Sequence, residues 1–120
     1  MNNKPDYNFF KNTKYAIDGF VHAFKTEKSF KIELFLSIFI MSAIIYIDVS
    51  LFLKLILLIT GILILIVELI NSAIENVVDL VTKEKHPLAK TAKDIGATAV
   101  MFTIILHVIS WVVVILNKVI

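Results

Sequence analysis

An all-α membrane protein, with an N-terminal amphipathic surface helix plus three transmembrane helices, is the fold class this sequence predicts. Three observations carry the prediction. The 120 residues are 58% hydrophobic, against about 45–50% in an ordinary soluble domain. The apolar residues gather into three stretches that reach the roughly 20 residues needed to cross a bilayer. Ahead of them, apolar residues recur at helical spacing among lysines. A chain of this length holds these elements and little else, so residues 1–120 read as a single integral membrane domain.

Residues 1–7 are polar and include Pro5, which suggests a frayed tail. Over residues 8–25, Phe10, Ile17, Phe20, Val21 and Phe24 share helical spacing, while Lys11, Lys14, Asp18 and Lys25 occupy other faces. That pattern suits a helix lying on a membrane surface. The first span covers about 29–47. Its charge-free part, 34–47, is 14 residues, so it must start near Ser29 with Lys31 and Glu33 at the interface. Asp48-Val49-Ser50 reads as a tight turn in which Asp48 or Ser50 can cap the next helix. The second span, about 51–81, exceeds what a bilayer requires, so its acidic end approaches or leaves the membrane surface. The polar loop 82–93 contains His86-Pro87, and Pro87 suits a first helical position. The third span, about 89–117, includes a charge-free run over 95–117.

All 12 basic residues are lysines, and their distribution sets the topology. Lys4, Lys11, Lys14, Lys25, Lys28 and Lys31 precede or begin span one, and Lys83, Lys85, Lys90 and Lys93 lie in the second loop. The first loop offers only Lys54 and the C-terminus only Lys118. The N-terminus and the 82–93 loop are therefore expected in the cytoplasm and the C-terminus outside. The lysines mark helix ends rather than a nucleic-acid patch. With no cysteine in the chain, disulfides, thiolate metal sites and thiol nucleophiles are excluded.

Span two departs from an ordinary membrane helix. It carries Glu68, Asn71, Ser72, Glu75 and Asp79. At about 100° per residue, positions 68, 72, 75 and 79 fall in a narrow arc with Asn71 at its edge. Ionisable groups at membrane depth are costly and by default mark a functional site. Three like charges on one stripe call for a cation, and carboxylates without cysteine favour a hard one such as Mg²⁺. Glu27, Glu33, Glu84, Lys85, His86, Lys93 and Asp94 are expected at the same cytoplasmic interface. Lysines there can neutralise phosphates, and Glu68, the deepest carboxylate, can take a proton from a lipid hydroxyl. Such a set suits phosphoryl transfer from Mg-ATP to a membrane alcohol, although no Walker loop or kinase signature is present.

Plainer readings stand beside these. The acidic stripe can be polar glue between helices, Glu27 and Glu33 solvated interface charges, and His86 an exposed loop residue. His107, in mid-span, is expected to hydrogen-bond a neighbouring helix. Gly61 and Gly96-Ala97 permit close helix packing. Two other function classes compete: a small multidrug or ion transporter, with carboxylates near the midplane and four spans, and a non-catalytic membrane peptide, in which Glu68→Gln would be silent.

The segment Glu68-Leu69-Ile70-Asn71-Ser72-Ala73-Ile74-Glu75, followed by Val78-Asp79, His86 and Ala92-Lys93-Asp94-Ile95-Gly96, resembles the signature of the prokaryotic diacylglycerol kinase family. The likeness extends over essentially the whole chain. It implies ATP- and Mg²⁺-dependent transfer of the γ-phosphate to a lipid hydroxyl, by a homotrimer in the bacterial cytoplasmic (inner) membrane with active sites shared between subunits. By position, it implies that Glu68 is the general base and that Glu27 and Glu75 hold the metal. Tyr15, Glu84, Lys85, His86, Lys93 and Asp94, with Glu27 and Glu75, would contact the nucleotide. Asn71, Asp79 and Lys11 would support the site. The lipid would lie along Val21, His22, Ala23, Phe24, Ser29, Phe30, Lys31, Ile32 and Glu33, with Glu68, Ala97 and Trp111.

The chain departs from that pattern in two places. Asn8 stands where the family has an arginine, leaving Lys11 as a point charge that cannot reproduce a bidentate guanidinium. Lys85 stands where the family often has an aromatic residue. The family has diacylglycerol and undecaprenol branches. Asn71-Ser72-Ala73, Asp94-Ile95-Gly96 and Ser110-Trp111 resemble the first, and Asp79-Leu80-Val81-Thr82 and His86-Pro87-Leu88-Ala89-Lys90 the second. Because the first group lies within the membrane, where the lipid binds, diacylglycerol is the expected substrate and undecaprenol the alternative.

Overall fold

The computed structural model describes residues 6–120. The tail expectation for residues 1–5, with Lys4 and Pro5, lies outside the described residues. Four helices follow in order: α1 (Phe9–Thr26), α2 (Lys28–Tyr46), α3 (Leu51–Val81) and α4 (Pro87–Val119).

Local chemistry explains the boundaries. Asn8 caps α1 by accepting from the Lys11 N–H at 3.1 Å, so this residue has a backbone task. Between α1 and α2 only Glu27 is extended, at φ −102° and ψ 103°. The hydrogen-bond ladder nevertheless continues through it: Glu27 N–H donates to Ala23 O at 2.8 Å and Lys31 N–H to Glu27 O at 3.1 Å. The chain bends there into an elbow. Phe20 and Phe30 meet edge to face across it, 5.6 Å between ring centres, and Phe30 is fully buried. Of the two candidate caps before α3, Ser50 serves, its hydroxyl accepting from Leu53 N–H at 3.3 Å. Pro87 opens α4, and the His86 ring caps it by accepting from Leu88 N–H at 3.1 Å. The second span has the expected bounds. The third is two residues longer at each end than the expected 89–117, and α2 begins and ends one residue before the expected 29–47.

α4 packs along α3, and α2 packs on α3 less extensively. The apolar core sits where these three helices meet near the 47–50 turn. Ile44, Leu57 and Val114 are buried there, with Ile40, Leu53 and Trp111 around them. Lys118 closes this end by donating to Asp48 O at 3.0 Å. Midway along, His107 Nδ1 lies 2.7 Å from Thr60 Oγ1. Trp111 Nε1 donates to His107 Nε2 at 3.1 Å. The second bond makes Nε2 an acceptor, so Nδ1 carries the proton and donates to Thr60. Thr60 in turn donates to Ile56 O at 2.9 Å. His107 thus bonds a neighbouring helix, as expected. A Cβ at Gly61 would come within 3.2 Å of the His107 ring, so the glycine leaves room for it.

α2, α3 and α4 are each long and apolar enough to cross a membrane. Their outer faces expose Phe39, Ile45, Ile59, Phe102 and Ile109, far more apolar surface than a soluble monomer carries. The chain is a membrane protein. At a rise of about 1.5 Å per residue, 31-residue α3 is roughly 46 Å long, against a hydrocarbon core of about 30 Å. Measured from the 47–50 turn, about 20 residues of α3 fill that core. For an untilted span begun at that turn, Glu68 would lie just inside the boundary, and Glu75 and Asp79 beyond it.

Candidate active site

Two adjoining cavities form at the end of the molecule opposite the 47–50 turn. The first has a volume of about 230 Å³ and is lined by Glu27, Ser29, Glu68, Asn71, Ser72, Glu75, Ala97 and Val100. Three elements build it. The elbow supplies Glu27 and Ser29. The polar stripe of α3 supplies Glu68, Ser72 and Glu75, with Asn71 beside them. α4 closes the wall with Ala97 and Val100. Glu68 is 6% exposed, so its carboxylate is held by packing. Two helical turns, about 10 Å, separate it from Glu75. From α2, Glu33 faces Glu68, and its Oε2 is buried without a hydrogen-bond partner. Asn71 Nδ2 donates to Glu75 Oε1 at 3.2 Å, while Asn71 Oδ1 is likewise buried and unpartnered.

The donors suit a hard cation. Three carboxylates share one cavity without a histidine, and their mutual repulsion is relieved by positive charge. Among the described residues, no three His, Asp or Glu side chains converge as a complete metal cage.

The second cavity, about 750 Å³, opens between the end of α3 and the start of α4. Its walls include Asp79, Lys83, Glu84, Lys85, His86, Lys90, Lys93 and Asp94. Two of its four lysines are paired: Lys93 Nζ with Asp79 Oδ1 at 2.7 Å, and Lys90 Nζ with Asp94 Oδ2 at 2.5 Å. Thr82 Oγ1 accepts from Glu84 N–H at 3.1 Å and shapes the turn between the helices. Because His86 Nδ1 accepts a backbone bond, the nitrogen left for a ligand is Nε2.

Glu27, Ser29, Glu68, Asn71, Glu75 and Ala97 thus come together in one cavity, and Asp79, Glu84, Lys85, His86, Lys93 and Asp94 in the next. Other expected residues stand apart. Lys11, Tyr15, Val21, His22, Phe24 and Ile32 line neither cavity. Ala23 and Phe30 are buried, Phe30 in the elbow, and Lys31 Nζ sits 5.2 Å from the centre of the Phe24 ring. Trp111 packs beside the Ile44, Leu57 and Val114 core, about 20 Å along α4 from Ala97. Among the charged and hydroxyl-bearing lining residues, Ser72, Thr82, Lys83 and Lys90 had not been singled out for the site, and neither had the apolar Val100. Ser72 was legible on the α3 arc, and the two lysines in the loop charge.

Residues 14–115 match the sequence model of the prokaryotic diacylglycerol kinase family. A diacylglycerol kinase of Pseudomonas aeruginosa is 36% identical over 105 residues, spanning 88% of this chain and 85% of that protein. One from Haemophilus influenzae is 38% identical over 106 residues, or 83% of this chain and 85% of its own. One from Helicobacter pylori is 33% identical over 102 residues, or 85% and 80%. This membrane chain therefore belongs to the prokaryotic diacylglycerol kinase family.

Proposed function

We propose that the protein transfers the γ-phosphate of Mg-ATP to the hydroxyl of diacylglycerol, giving phosphatidic acid. The observation that carries this reading is the cavity in which Glu27, Glu68 and Glu75 meet beside a lysine-rich cleft. Glu27 and Glu75 would hold Mg²⁺, which would neutralise phosphate charge. The cleft would take the nucleotide, with Lys93 released from Asp79 to contact phosphate oxygens. Glu68, just inside the hydrocarbon boundary, would accept the proton of the lipid hydroxyl. The freed oxygen attacks the γ-phosphorus, and ADP leaves as the bond to its β-phosphate oxygen breaks.

The place of Glu68 along α3 supports this division of roles, since a span begun at the 47–50 turn would set it near the level of a lipid hydroxyl. The lysine asymmetry supports a cytoplasmic site in a bacterial inner membrane. α1, with phenylalanines and lysines on different faces, would lie on that surface. A homotrimer with shared sites would explain why Lys11 and Tyr15 line neither cavity of their own subunit, since each could serve a neighbour's.

The test is ³²P transfer from Mg-ATP in mixed micelles, with diacylglycerol and undecaprenol offered separately. Faster labelling of diacylglycerol supports the proposal. Preference for undecaprenol keeps the mechanism and changes the substrate. Labelling of neither by folded protein refutes a lipid kinase and returns the transporter reading.

A further inference from the structure

Gly96 sits buried in the third turn of α4. A glycine inside a helix costs about 1 kcal/mol relative to alanine, so packing usually explains it. Backbone freedom does not explain this one, because no glycine among the described residues has positive φ. The neighbour is specific. The three nearest atoms that a Cβ at Gly96 would meet across the helix interface all belong to Asn71: Oδ1 in outright collision, Cγ at 3.2 Å and Cβ at 3.9 Å.

The contact orients the Asn71 amide. Its carbonyl end is pressed against the Gly96 backbone and has no hydrogen-bond partner. Its amino end is thereby directed to Glu75 Oε1, 3.2 Å away. We infer that Gly96 is a positioning residue for metal binding, fixing Glu75 through Asn71 by offering that amide a surface without a side chain. The inference rests on Glu75 being a metal-holding carboxylate, as proposed above. A methyl at position 96 must displace the Asn71 side chain and with it the bond that aims the Glu75 carboxylate. Partners that orient a ligand in this way typically govern about 10- to 100-fold of metal affinity.

The experiment uses the full chain in micelles with a non-hydrolysable ATP analogue. Mn²⁺ affinity is read by electron paramagnetic resonance, and kcat and the KM values for Mg²⁺ and lipid are measured in parallel. Gly96→Ala should weaken Mn²⁺ binding and raise the KM for Mg²⁺ about tenfold, with the lipid KM unchanged. In an Asn71→Ala background the obstruction is gone, so adding Gly96→Ala should change Mn²⁺ affinity less than about twofold, a departure from additivity that marks direct coupling. Equal losses in both backgrounds, or unchanged Mn²⁺ affinity in Gly96→Ala, would overturn the inference. If Gly96→Ala alone does not fold, folding restored by Asn71→Ala supports it and continued misfolding overturns it. Glu75→Gln runs alongside. If it weakens Mn²⁺ binding while Gly96→Ala does not, only this inference fails; if Glu75→Gln itself has no effect, the metal assignment falls as well.

Discussion

Thr60 on α3 and His107 on α4 share a buried 2.7 Å hydrogen bond, midway along the two helices. Trp111 completes the chain of donors through the second ring nitrogen, so the imidazole is satisfied on both sides and needs no ligand.

That bond predicts a coupling in stability without one in catalysis. Thr60→Val and His107→Phe should each destabilise the fold, with a coupling of about 1 kcal/mol in a double-mutant cycle. Unfolding in denaturing micelles measures it, with Trp111, the chain's single tryptophan, as the fluorescent probe. Both variants should keep kcat within about threefold, because Thr60 is eight residues, about 12 Å, from Glu68 along α3.

Glu68→Gln removes the proposed proton acceptor and preserves volume. The expected result is a loss of about 10²- to 10⁴-fold in kcat, with the KM for ATP within about twofold. Steady-state kinetics check both numbers. A kcat loss smaller than about tenfold would move the base elsewhere.

Lys93→Met takes a cation from the cleft. The ion pair with Asp79 is about half exposed, with side-chain exposures of 41% and 44%, so thermal unfolding should hardly change. The KM for ATP should rise at least about tenfold, because the proposed phosphate contact would be lost. Comparing thermal unfolding with nucleotide titration separates the two effects.

His86→Ala deletes the cap on Leu88 N–H. Loss of a side-chain cap costs about 1 kcal/mol, felt locally. Hydrogen exchange of the first amides of α4 should quicken about fivefold, while those near Val114 stay as they are.

Much of this was legible in the sequence because its signals are local. A turn residue with an oxygen side chain placed the start of α3 at Leu51, and periodicity placed Glu68 and Ser72 on one buried arc. The carboxylates of Glu27 and Glu75, 48 positions apart, were brought to one interface by the topology and to one metal by the family likeness, and the structure puts them in one cavity. The elbow at Glu27 carries no glycine or proline to announce it; it becomes visible only when Phe20 and Phe30 are seen to pack across it. The contact between Asn71 and Gly96 depends on how closely two helices approach, which periodicity does not encode. Trp111, given to the lipid by the family likeness, lies beside His107 and the core at the 47–50 turn.

The most direct test of the account is the Mg²⁺ dependence of ³²P transfer to diacylglycerol in wild type, Glu27→Gln, Glu75→Gln and Glu68→Gln. The proposed roles predict that Glu27→Gln and Glu75→Gln shift half-saturation to at least about tenfold higher Mg²⁺, while Glu68→Gln lowers the plateau and leaves half-saturation in place. Identical Mg²⁺ curves for wild type and the Glu27 and Glu75 variants, or a full plateau in Glu68→Gln, would contradict it.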